Sequence, residues 1–139
     1  MEGYRKGDKI SVVALISLGL IAIDRGFYWF ILFASVVDES PLYVALHKLL
    51  PIWCWGLMLI LFGTCLILAA VFYPKNLINN KSSNMMVIGG VGTGIIHFLM
   101  MSATISNSSG WFFPIQYCIL ATLFFYIAFI GGSERVRKR

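Results

Sequence analysis

Three ionisable residues stand where an apolar chain rarely places them. Asp24 and Arg25 fall inside the apolar run 10–37, and His97 falls inside the run 85–105. At the centre of a membrane helix such a charge costs roughly 2.5–3.5 kcal/mol on insertion scales, and it usually marks a working site. Adjacent residues on a helix point about 100° apart, so Asp24 and Arg25 cannot share one narrow line. Either they flank a polar cavity, or each meets its own partner on a neighbouring helix. Counted by depth, His97 sits near the centre of the third run, Thr64 near the centre of the second and Thr122 near the centre of the fourth, with Gln116 in the outer third of the fourth. This layer predicts an Asp24–His97 or Asp24–Arg25–His97 network at one level. Carboxylate and imidazole bias each other's protonation, which suits ion- or proton-linked work. Two other arrangements compete with it. One is a structural pairing that specifies packing; the other is a break in the first helix at these residues, with Gly26 as the hinge.

The elements that must carry these residues are four apolar runs, 10–37, 52–73, 85–105 and 111–130. Each reaches the ~20 residues needed to cross a ~30 Å hydrocarbon core. Of the 139 residues 59% are hydrophobic and 12% charged, where a soluble domain carries about a quarter charged. Strand alternation is absent, and helices satisfy their own backbone in lipid. The expected fold is therefore an all-α membrane protein, a single four-transmembrane-helix bundle over 1–139. The first run is too long for a signal-peptide core and no small-residue cleavage site follows it, so it reads as a retained span. Ser40 and Pro41 make a helix-starting pair ahead of the mostly apolar stretch 42–50. That stretch reads either as a short interfacial helix between the first two spans or as an extension of the second, kinked at Pro51. Segment 74–84 is a polar loop and 106–110 a tight turn.

The charges orient the bundle. Arg5, Lys6 and Lys9 precede the first span, Lys75 and Lys81 separate the second and third, and Arg135, Arg137, Lys138 and Arg139 follow the fourth. All of these belong to one side, and Lys48 alone belongs to the other. The positive-inside rule then puts both termini in the cytoplasm. Trp53, Trp55, Trp111 and Tyr43 fall at the outer boundary and Tyr73 at the inner one, as aromatic belts do. The net charge of +5 thus serves topology and anionic lipid, which Arg135, Arg137, Lys138 and Arg139 would meet. No basic and aromatic interleaving suggests nucleic acid. Cys54, Cys65 and Cys118 lie in apolar runs without metal-site spacing and read as packing residues. The short loops and the Asn-, Lys- and Ile-flavoured loop 74–84 point to a bacterial or phage setting and a bacterial inner membrane.

In the third run Gly90 and Gly94 make a GxxxG pattern, with Gly89 and Thr93 at the same spacing. Small residues four apart form a flat stripe for close helix packing, within the monomer or between copies. No preceding strand or following Lys supports a phosphate loop, and no nucleophile–base or HExxH arrangement supports an enzyme. No cofactor or metal is expected. The function expected is a homo-oligomeric ion- or proton-conducting pore with Asp24, Arg25, His97, Thr64, Thr122 and Gln116 as pathway candidates. In size and topology this plan is similar to holins and other small membrane-permeabilising effectors. The alternative is a non-conducting immunity, exclusion or assembly factor that binds another membrane protein. A third reading is a small proton-coupled transporter: exporters of the small multidrug resistance type also carry an embedded acid in their first helix, which Asp24 resembles. The residues around Asp24 depart from that family's pattern, and the strong charge bias opposes its dual topology.

Overall fold

The computed structural model describes residues 6–35, 41–73, 80–107 and 110–137. Their main elements are five helices: α1 Lys6–Ile31, α2 Pro41–Leu49, α3 Ile52–Phe72, α4 Lys81–Asn107 and α5 Phe112–Arg137. Four of them are long and apolar enough to cross a membrane, over Lys9–Ile31, Ile52–Phe72, Lys81–Ser106 and Phe112–Arg137. The protein is thus an all-helical bundle of the four-span membrane class. The expected loop contributions of Arg5, Asp38, Glu39, Lys75, Lys138 and Arg139 lie outside the described residues.

Two helix boundaries depart from the hydropathy runs. α1 ends at Ile31, and the chain bends at Leu32 although the apolar run continues to 37. Asp24 and Arg25 therefore lie under two turns from the end of their helix, away from its centre. The helix passes unbroken through Asp24, Arg25 and Gly26, so Gly26 is no hinge. α5 runs on to Arg137, well past the apolar run, because Gly131 keeps it docked. A Cβ there would come within 2.8 Å of both the Ser83 carbonyl oxygen and the Met86 side chain on α4.

α2 is a helix of its own. Pro41, whose fixed φ and missing N–H suit a first turn, opens it. Pro51, in an extended conformation (φ −51°, ψ 137°), separates it from α3. Side chains tie the corner. The Ile52 N–H donates to His47 Nδ1 at 3.3 Å, and the Trp55 indole N–H donates to the carbonyls of Leu46 and Leu50, both at 3.2 Å. Leu46 is buried against the bundle, and α2 packs on α4 and the start of α3.

The four long helices pack in the order α1–α3–α4–α5. The α1–α3 seam is backbone against backbone. A Cβ on Gly26 would stand 2.7 Å from the Gly56 carbonyl oxygen, and one on Gly56 would stand 2.6 Å from that of Gly26. A turn-pair away, Gly19 and Gly63 repeat the arrangement at 2.9 and 2.8 Å. Such spacings leave no room for any side chain, and Ala22 and Leu59 fill the stretch between. Around these seams Leu15, Trp29, Leu66, Ile96, Met100 and Phe124 form a continuous apolar core.

The stripe of α4 is used inside the monomer. Gly89 lies against the Phe62 carbonyl and Leu66 of α3; Gly90 lies against the Phe124 carbonyl and Ala128 of α5, and Gly94 against the Phe125 ring. Thr93 is fully buried among them and returns its hydroxyl to the Gly89 carbonyl at 2.6 Å.

Candidate functional site

α1 has two flanks at the level of residues 24 and 25, and its two charges part between them. Arg25 turns inward, half-buried, and donates to the Tyr43 hydroxyl on α2 at 3.4 Å. Its guanidinium carbon lies 5.9 Å from the centre of the Tyr117 ring on α5. A cation over an aromatic face is stabilised by the ring quadrupole, by about 0.5–2 kcal/mol depending on solvent access. No carboxylate among the described residues pairs with Arg25.

His97 reaches the same level from α4 and is 2% exposed. Its Nδ1 stands 2.8 Å from the Thr93 carbonyl oxygen. A carbonyl only accepts, so Nδ1 carries the proton and donates it. The ring rests on Phe124, centroids 4.9 Å apart, and next to Tyr117 at 6.4 Å. Tyr117 thus stands between Arg25 and His97 and joins them into one layer, which the depth count from the sequence had placed together. Asp24 is the member that does not join.

Asp24 is exposed on the opposite flank of α1, between Leu20 and Phe27, which are exposed too. Thr64, Thr122 and Gln116 are also exposed on the outside of the bundle. Their demands differ. Thr64 donates to the Ile60 carbonyl at 2.7 Å and Thr122 to the Cys118 carbonyl at 2.8 Å. A hydroxyl returned to its own helix is compatible with lipid. Gln116 lies about one turn into α5, within reach of the membrane boundary. Asp24 has neither remedy.

Among the described residues the buried polar side chains mostly bond backbone carbonyls. Thr93, His97 and Thr104 bond carbonyls of their own helix. Ser82 bonds the Ala69 carbonyl of α3 at 2.8 Å, and Ser83 donates to Glu134 at 3.4 Å.

Sequence reasoning missed two members of the layer. Tyr43 and Tyr117 were visible only as belt and apolar-run aromatics, and nothing in their spacing announces Arg25 as a partner. Trp29 was not singled out either. It is fully buried, and its indole N–H has no partner among the described residues. No protein family, curated protein or solved structure matches this chain.

Proposed function

We propose that copies of this chain associate in the membrane, termini in the cytoplasm, and conduct ions or protons along the interface that carries Asp24. The observation behind this reading is the exposed carboxylate on the outer flank of a spanning helix. Facing acyl chains, a carboxylate is unfavourable. Facing another copy across a hydrated seam, it becomes a cation ligand or proton carrier. Thr93, His97 and Thr104 bond carbonyls of their own helix, which favours a pathway between monomers over one within a monomer. The glycine stripe of α4 is occupied by α3 and α5, which leaves the α1 flank as the face for association. The charge asymmetry of the sequence supports the orientation.

Directed crosslinking tests the assembly. With Cys54, Cys65 and Cys118 replaced by alanine, Leu20→Cys and Phe27→Cys are expected to give disulfide-linked dimers in membranes. Ala22→Cys, which faces α3, is expected to give none. Equal, weak crosslinking at all three positions would turn the reading toward a non-conducting protein that uses the Asp24 flank to bind a different membrane partner.

A further inference from the structure

Among the described residues Arg25 has aromatic neighbours and no anion. Its hydrogen bond to Tyr43 is long, and on α5 it meets Tyr117 through the ring face and the hydroxyl. Most of its N–H donors are therefore unused. One turn further along α1, on the same face, is Trp29, fully buried with an unpartnered indole N–H. Its ring meets Tyr43 edge to face, centroids 5.8 Å apart. Tyr43 accepts from Arg25, which leaves its own O–H free to donate. Two helices thus bring donors to one corner, one of them charged, with no anion among the described residues to answer them. A buried donor left unpaired is uncommon and calls for an occupant.

We propose that this corner binds a phosphate oxyanion through the Arg25 guanidinium, the Tyr43 hydroxyl and the Trp29 indole N–H, and that the phosphate is a phospholipid's. Guanidinium suits phosphate because its planar fork matches two oxygens at once. The lipid source follows from the surroundings. α1 packs extensively on α3 and has no comparably extensive contact with α5, so the side between α1 and α5, where Arg25 is only half-buried, is the way in for a headgroup. The corner also lies under two turns from the end of α1, about 9 Å of helix rise, where a headgroup drawn slightly inward can reach it. Basic recesses between spanning helices bind lipid phosphate in this manner.

The test is lipid retention by the full chain in a neutral detergent, titrated with phosphatidylglycerol and, separately, with inorganic phosphate. Native mass spectrometry and thermal unfolding give the readouts. One phosphatidylglycerol per chain is expected, with affinity lowered about tenfold or more in Arg25→Gln and about threefold to tenfold in Trp29→Phe. Arg25→Lys keeps the charge but not the fork and is expected to fall between. If inorganic phosphate displaces the lipid and protects the fold equally, the oxyanion site stands and its source is the solution. If Arg25→Gln does not fold, Trp29→Phe decides, since it keeps the bulk and removes one donor. Phosphatidylglycerol binding unchanged in Trp29→Phe and Arg25→Gln would overturn the proposal. So would a wild type that retains no lipid or phosphate while Asp38→Asn or Glu39→Gln destabilises as strongly as Arg25→Gln, because the anion would then come from the chain. None of these readouts involves flux, so this site and the Asp24 interface stand or fall separately.

Discussion

One flank of α1 is locked and the other is not. Against α3, Gly19 and Gly26 meet Gly63 and Gly56 with backbones in contact, and nothing larger than hydrogen fits. On the α5 side the Arg25 guanidinium bridges to a tyrosine ring, and on the outer flank Asp24 has no partner among the described residues. The first flank is enough to place the helix. Charge retained on the outer flank, facing away from the bundle, calls for a functional reason.

The comparison can be broken at its strongest point first. Gly26→Leu or Gly56→Leu forces a side chain into a facing carbonyl and is expected to destabilise the protein by about 3 kcal/mol, read by denaturation in detergent. Gly7→Leu and Gly132→Leu, where an added Cβ meets nothing within 4 Å, are expected to change stability by less than about 0.5 kcal/mol. If the two pairs behave alike, the seam is not what fixes α1. His97→Ala comes next. It empties a fully buried position under Phe124 and is expected to cost about 2 kcal/mol while leaving flux per folded molecule unchanged. A flux change there would return His97 to the pathway. Tyr43→Phe removes one long hydrogen bond to Arg25 and is expected to cost about 0.5–1 kcal/mol. Thr64→Val should have the smallest effect, within about 0.5 kcal/mol and without change in flux, because its hydroxyl already bonds Ile60.

Much of this fold was legible because hydropathy and helix length are coupled through the thickness of a bilayer. Four spans, the helix opened by Pro41 and the shared level of Arg25 and His97 could all be read from residue order. What hydropathy cannot report is where a helix stops. The residues after Ile31 are as apolar as those before it, so the bend at Leu32 left no mark in composition. In α5 the helix outlasts its apolar run because Gly131 packs on α4. The α1–α3 seam was written in the sequence as glycines seven apart on each helix, Gly19 and Gly26 against Gly56 and Gly63. The denser run in α4 drew attention instead, and Gly26 beside two charges resembled a hinge. Which of two adjacent charged residues faces inward was not legible at all, because that depends on the rotation of α1, and the seam sets that rotation.

The central claim is that the Asp24 flank carries conduction between copies. The most direct measurement is ion and proton flux through the purified protein in liposomes, wild type beside Asp24→Asn, with folding checked in both. Wild-type flux that falls about tenfold or more in a folded Asp24→Asn protein is the predicted result, on the scale of losing a charged ligand in a low-dielectric site. Equal flux in the two, or none from the wild type across a range of pH and voltage, would contradict it.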